Sequence, residues 1–361
     1  MAAIRSFAWW VLLGTILFAS CKKPVIDGTV PVNNSLYFPP TTGAWQTTTP
    51  AALGWNSAAL NSTFGFLDQK NTKAFIVLKN GELVVEKYFG NFTQDSVWYW
   101  ASAAKTLTAV LVGIAQQQGK LRLTDRTNRY LGAGFTNAPL AKENAITIFH
   151  QLTMTTGLDD GVPNDDCTTP ACLLFKADVG TRWAYHNAPY TLLDKVIENA
   201  TQTNFQTYTR QQVGTPIGMG GLWINNGFNN VYYSNARSMA RFGLLLLAKG
   251  QWNGTNIINN TYVDSMATTS NSLNQSYGLL TWLAGKPSYM LPTVQTVFNG
   301  SLVPNAPADM LAALGKNDQK IYVVPSKNLV VIRMGNSAGN VQLAASSFDN
   351  ELWGYLRQVW P

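Results

Sequence analysis

Apolar and polar positions along the chain sort it into three stretches. Two β-rich runs, Ala74-Phe75-Ile76-Val77-Leu78-Lys79 and Leu83-Val84-Val85-Glu86-Lys87-Tyr88-Phe89, flank Asn80-Gly81. Asn-Gly supplies the left-handed residues of a two-residue turn, so a hairpin is predicted. A second hairpin is predicted near the C-terminus, where Lys320 to Val324 and Asn328 to Arg333 flank Pro325-Ser326-Lys327. The segment from Phe348 to Trp360 has helical periodicity. The middle is mostly helical in pattern, as in Ser238 to Lys249, stopped by Gly250. From Ala103 to Ile114 the residues are almost wholly apolar, which predicts a helix buried all round, with Gly119 as its stop. No internal repeat is found. Both ends of the chain thus supply strands, and the predicted fold class is α+β. One antiparallel sheet would be built from about 51–120 and 290–361 and flanked by helices. A mostly helical inserted part would occupy about 121–289, with a site at the junction.

The first fifty residues follow a different pattern. Arg5 precedes an apolar run from Phe7 to Ala19, too short to span a bilayer as a helix. It ends in Phe18-Ala19-Ser20-Cys21, which resembles a bacterial lipobox. The expectation is a signal peptide over 1–20, lipidation at Cys21, and a lipid-anchored tether over 21–50. Pro24, Pro31, Pro39, Pro40 and Pro50 are spread through that tether without sustained period. The expected location is the bacterial cell envelope, facing the periplasm.

Composition narrows the function classes. The 361 residues are 46% hydrophobic and 12% charged, enough for a large core over 51–361 and too apolar for a disordered chain. The net charge of +7 comes from scattered residues, with no Lys/Arg block to track phosphates, so nucleic acid is not an expected partner. With Cys21 lipidated, Cys167 and Cys172 remain in a polar, turn-rich loop and are expected to form a disulfide. The chain has two histidines, His150 and His186, and neither lies in a metal-ligand spacing with these cysteines. No metal or other cofactor is expected.

Candidate chemistry begins at Ser102-Ala103-Ala104-Lys105. Ser102 opens the apolar helix, and Lys105, three residues on, shares its face. Burial disfavours the charged lysine, and a neutral amine can take a proton from a serine hydroxyl. The helix N-terminus adds positive potential where an oxyanion would form. Alternatively, Ser102 is an N-cap and Lys105 snorkels. Tyr185-His186-Asn187 follows a turn at Gly180 to Ala184. A tyrosine beside a cationic lysine has a lowered pKa and can act as base or proton shuttle. Asn187 can donate a hydrogen bond to a substrate carbonyl or to the lysine. His186, next to Tyr185, is better read as a packing residue that tunes the site.

Ser-x-x-Lys followed by Tyr-x-Asn, in that order, resembles the class C β-lactamase superfamily, which includes DD-peptidases, carboxylesterases and nylon-oligomer hydrolases. Further stretches are similar to that family: Gly119 to Asp125 with Tyr130-Leu131, Ile148 to Leu158, Ala240 to Leu245, Gly250 to Gly254, and Pro307 to Met310. The resemblance covers roughly 51–361. It implies a β-lactamase/transpeptidase-like fold and a serine hydrolase that cleaves an ester or amide through an acyl-enzyme on Ser102, with Lys105 and Tyr185 handling protons. The partner would be a small ester, amide or peptide. DD-peptidase and β-lactamase activities on peptidoglycan-like or β-lactam substrates, and a catalytically silent envelope-binding lipoprotein, are the alternatives. The family's third motif, Lys-Thr-Gly or His-x-Gly, is matched only loosely by Gly315-Lys316-Asn317-Asp318-Gln319. There Lys316 and Asn317 are the expected substrate contacts, and the second oxyanion N–H is expected near Asn317 to Gln319. Strand alternation would put Asp318 on the same face as Lys316. Asp318 would then partly neutralise Lys316 and favour small neutral esters over anionic β-lactams. Gly335-Asn336-Ser337-Ala338-Gly339 matches G-x-S-x-G, but no histidine follows it to complete a triad, so a strand-to-helix turn is the better reading.

Overall fold

The computed structural model describes residues 36–341 and 343–360. The expected signal peptide and the lipidation site at Cys21 lie outside the described residues. Helix α1 (Ser57–Gln69) leads into the hairpin β1 (Thr72–Lys79) and β2 (Glu82–Tyr88). A short strand β3 (Trp98–Tyr99) precedes helix α2 (Ala104–Gln117). Helix α3 (Asn187–Thr201), the strands β4 (Leu222–Asn226) and β5 (Asn229–Ser234), and helix α4 (Ala236–Leu247) follow. The chain then adds β6 (Trp282–Leu283), β7 (Leu311–Gly315), β8 (Gln319–Val324), β9 (Leu329–Gly335) and the terminal helix α5 (Ser347–Leu356).

Six of these strands form one sheet in the order β2-β1-β9-β8-β7-β6, with antiparallel pairs throughout. Strands from the two ends of the chain therefore meet at the β1–β9 pair. Alternation along β8 separates the two faces. Ile321 lies under α4, where a Cβ on Gly243 would sit 3.1 Å from its Cγ2. Tyr322 turns the other way and donates to Asp349 Oδ1 on α5 at 2.6 Å. Helix α1 stacks on α5 through Phe66 and Tyr355, whose ring centroids are 4.5 Å apart. The sheet is thus covered on one face by α4 and on the other by α1 and α5. Because Gly243 lacks a side chain, α4 can approach Val330 closely; a Cβ there would meet Val330 Cγ1 at 2.5 Å.

Two features differ from the sequence expectation. The stretch expected to be a helical insertion also contains strands β4 and β5, which form a small sheet with β3, and its helix α4 serves the main sheet. The described part of the expected tether is docked. Thr47 forms a parallel bridge to Leu83, Tyr37 N–H donates to Asn80 O at 2.9 Å, and Arg241 Nη1 donates to Pro39 O at 2.9 Å. Trp45 is buried, with the Arg241 guanidinium 4.8 Å from its ring centroid. An aromatic anchor and three backbone hydrogen bonds to the β1–β2 hairpin hold this segment, where a proline-rich composition suggested a free linker.

Candidate active site

Strand β3 positions the candidate nucleophile. Its successor Trp100 is fully buried, donates its backbone N–H to Tyr232 O at 2.8 Å, and donates its indole N–H to Ser234 Oγ at 2.8 Å. Ala101 then takes φ 46°, a left-handed conformation that costs a β-carbon-bearing residue about 1 kcal/mol or more. That turn presents Ser102 at the start of a helical run that continues into α2. Gly315, the last residue of β7, abuts the same turn. A Cβ on it would lie 2.4 Å from Trp100 O and 2.9 Å from Ala103 N. The glycine that lets the sheet meet the nucleophile turn is therefore Gly315, directly before Lys316. No glycine is missing at this contact.

Lys105 is 4% exposed on a helix whose residues 104–115 are all buried. Its Nζ lies 3.1 Å from Ser102 Oγ and 2.8 Å from Asn187 Oδ1. The rings of Tyr190 and Tyr185 flank it, with centroids 4.1 and 5.0 Å from the amine. Burial drives the amine down to about 7, and the charges of Asp166 and Asp165 oppose the drop. Among the described residues no carboxylate forms an ion pair with Lys105, so near neutral pH a large fraction of it is an uncharged amine beside a hydroxyl. A mere N-cap with a snorkelling lysine would have an exposed amine, which is not observed.

Tyr185 reaches the same point from the loop before α3. Its phenol is near enough to Ser102 and Trp282 for their polar groups to pull its pKa down. Its ring stacks on Trp282, with centroids 5.6 Å apart. The expected lowering of its pKa is not found. Burial pushes the phenol well above its ordinary range, the polar groups of Ser102 and Trp282 offset only part of this, and the neighbouring amine, lowered to about 7, is only partly charged near neutral pH. Tyr185 is therefore a protonated phenol, suited to passing a proton on rather than removing one. His186 is 2% exposed, its two ring nitrogens have no hydrogen-bond partner, and burial lowers it to about 4. It is a neutral packing residue. His150 caps the short helix Ile148–Leu152 with Thr147.

Asn187 also differs from expectation. Its Oδ1 accepts from Lys105, and its Nδ2 donates to Asp166 Oδ1 at 2.8 Å. The amide N–H expected to serve the substrate or the lysine is thus directed to Asp166. Cys167 and Cys172, in the loop that carries Asp166, are joined by a disulfide. Asp165 and Asp166 both line the cavity in front of Ser102, and burial raises the Asp165 carboxyl. Sequence reasoning passed over Asp166, Tyr190, Trp282 and Gly315. Only Asp166 had a visible signal: two adjacent acids beside a cysteine pair, in a chain with 19 acidic residues.

The cavity has a volume of about 560 Å³ and reaches Tyr99, Tyr233, Asn226, Asn229 and Asn230. Lys316 and Asn317 also line it. Asn317 Nδ2 donates to Tyr99 Oη at 2.8 Å, which ties its amide to the wall. Lys316 is exposed and has no ion pair or hydrogen bond among the described residues. Asp318 does not share its face. Asn317 and Asp318 take φ 57° and 59°, which breaks the strand alternation. Asp318 is 1% exposed and turns inward to Lys320 Nζ at 3.2 Å, Ser346 Oγ at 2.6 Å and Ala338 N at 2.9 Å. Neutralisation of Lys316 by Asp318 therefore fails, and with it the argument for small neutral substrates. Gln319 is also fully buried, with its amide on Asn317 O and Gly335 O. Gly315 abuts the nucleophile turn, and Lys316 to Asp318, which follow it, lie beside the same turn. Ser337 lies elsewhere, donating to Gly339 O at 2.6 Å.

Residues 68–352 match the family described as Beta-lactamase. An uncharacterized protein of Alkalihalophilus pseudofirmus is 24% identical over 79% of this chain and 90% of its own length. Among solved structures, a "putative 6-aminohexanoate-dimer hydrolase" from Bacillus anthracis superposes with a TM-score of 0.68 at 18% identity, over 90% of this chain and 91% of that one. A penicillin-binding protein homolog from Caulobacter crescentus superposes with a TM-score of 0.65 at 14% identity, over 83% of this chain and 96% of that one. At such identities these superpositions establish the fold. The family match over most of the chain goes further: the protein belongs to the beta-lactamase family and is a hydrolase of that superfamily.

Proposed function

We propose that the protein hydrolyses an ester or amide bond through an acyl-enzyme on Ser102. One observation carries this reading: a buried lysine without an ion pair, lowered to about 7, with its amine 3.1 Å from a serine hydroxyl at a helix start. In this reading neutral Lys105 takes the Ser102 proton as Oγ attacks the carbonyl. The oxyanion forms between the Ser102 N–H and an N–H at the end of β7, beside Gly315. Tyr185, as a neutral phenol, passes a proton to the leaving group and is reprotonated from the Lys105 ammonium. Water then attacks the acyl-enzyme, with Lys105 again as base. The unpaired Lys316 favours a second reading for the substrate, one bearing a carboxylate, as peptides and β-lactams do. An envelope lipoprotein anchored at Cys21 is part of the proposal. The Cys167–Cys172 disulfide supports export to an oxidising compartment. Labelling with a fluorophosphonate probe tests the chemistry. Wild type is expected to label, Ser102→Ala not at all, and Ser337→Ala normally; labelling of the Ser102→Ala variant would sink the proposal.

A further inference from the structure

The loop closed by the disulfide reaches the nucleophile through two hydrogen bonds. Asn187 Nδ2 donates to Asp166 Oδ1 at 2.8 Å, and Asn187 Oδ1 accepts from Lys105 Nζ at 2.8 Å. An asparagine amide is close to symmetrical in shape, so its partners decide which end is oxygen. A carboxylate only accepts, and that forces the Asn187 NH₂ toward Asp166 and its oxygen toward Lys105. A neutral amine has two N–H groups and one lone pair. With one N–H committed to Asn187 Oδ1, the lone pair is free to face Ser102 Oγ, 3.1 Å away. If the amide were reversed, its NH₂ would compete for that lone pair.

Asp166 directly precedes Cys167, and its position is built into the loop. Its N–H donates to Asn164 Oδ1 at 3.2 Å, and the Cys167 N–H donates to Asn164 O at 3.1 Å. Asp165 O accepts from Ala188 N at 3.1 Å, which ties the loop to the first turn of α3 beside Asn187. The Cys167–Cys172 bond closes the loop on the other side.

We propose that Asp166 is a positioning residue that fixes the orientation of the Asn187 amide and so aims Lys105 at Ser102, and that the Cys167–Cys172 disulfide holds it there, making hydrolysis sensitive to thiol reduction. The proposal rests on the Ser102 acyl-enzyme reading. The groups that face Lys105 are Asp165 and Asp166 from the loop, Tyr185 and Tyr190 beside and within α3, and Ser102 at the start of its helical run; Lys316 lines the same cavity.

The test is the rate of fluorophosphonate labelling of Ser102 in the full-length protein, measured from pH 5 to 9, before and after reduction with tris(2-carboxyethyl)phosphine. Asp166→Leu is expected to slow the plateau rate about tenfold or more. It also removes a negative charge that favours the lysine ammonium, so the rise of rate with pH should move to lower pH. A loop that had simply loosened would let water in and move that rise upward. Reduction, or the Cys167→Ser/Cys172→Ser pair, is expected to slow wild type several-fold and leave Asp166→Leu unchanged. Asp166→Asn, which keeps the shape without the obligate acceptor, should fall between wild type and Asp166→Leu and serves if the latter misfolds. An unchanged plateau and pH profile in the Asp166 variants overturns the proposal, as does equal slowing of wild type and Asp166→Leu by reduction. Labelling that persists in Ser102→Ala instead overturns the acyl-enzyme reading itself.

Discussion

Lys105 and Lys320 are two buried amines in one protein, and their surroundings give them opposite work. Lys320, fully buried on β8, lies 3.2 Å from Asp318 Oδ1 and 3.0 Å from Asp349 Oδ2, and donates to Ala344 O at 2.8 Å. Its charge is answered by two carboxylates, themselves held by Ser346, Tyr322 and the Ala338 N–H. Lys105, equally enclosed, meets a hydroxyl, an amide oxygen and two aromatic rings, with carboxylates only at a distance. A buried lysine given contact carboxylates fastens α5 to the sheet. One denied them is driven toward the neutral amine by burial.

Removing each lysine should sharpen this contrast. Lys320→Met strands two buried carboxylates, and breaking a buried ion pair from one side costs about 3–5 kcal/mol. A large fall in melting temperature is expected, with the rate per folded molecule nearly unchanged. Thermal unfolding together with active-site titration checks both halves; a stable variant would contradict the structural role. Lys105→Ala should do the reverse, lowering kcat by about 10² or more, with Tyr185→Phe of similar size. Near-normal kcat in either variant removes that residue from the mechanism.

The two amines also differ in what pH does. With Lys105 lowered to about 7, kcat/KM for a neutral ester should rise about tenfold per pH unit below that value and level off above it. The sign for stability follows from the same shift. The unfolded lysine holds its proton up to about 10.5, whereas the folded one releases it above about 7. Between those values unfolding takes up a proton, so Lys105 costs the fold stability that is regained as pH rises through the window. Lys105→Met should therefore be more stable than wild type at pH 7 by thermal melting. A lower melting temperature would count against a neutral amine.

Lys316 completes the comparison as an exposed amine with no ion pair or hydrogen bond among the described residues. Lys316→Ala is expected to lower kcat/KM for the anionic chromogenic substrate nitrocefin about fivefold, roughly 1 kcal/mol, and to leave p-nitrophenyl acetate almost unaffected. Equal losses on both substrates would remove the carboxylate-binding role.

Much of this was readable from local pattern. The two hairpins, α2 and the pairing of Ser102 with Lys105 follow from spacing alone, because residues three apart on a helix must share a face. Errors arose where a local rule met a nonlocal contact. Asp318 was put beside Lys316 by strand alternation, which fails when two consecutive residues take positive φ. Tyr185 was assigned a lowered pKa on the premise of a charged neighbour, but burial left that neighbour only partly charged and raised the phenol. Residues 36–50 have the composition of a linker, yet Trp45 finds a pocket beneath Arg241.

The sequence by itself determined which residues are candidates for the chemistry and the α+β class, since periodicity and motif order are properties of the chain. The tertiary structure decided the state of each group. Whether a lysine is a base or an ion, whether a tyrosine gives or takes a proton, and whether an asparagine offers oxygen or nitrogen depend on desolvation and on partners 21 or 82 residues away in the chain. Those contacts exist only once the disulfide loop, α2 and α3 pack together, and no window along the sequence contains them.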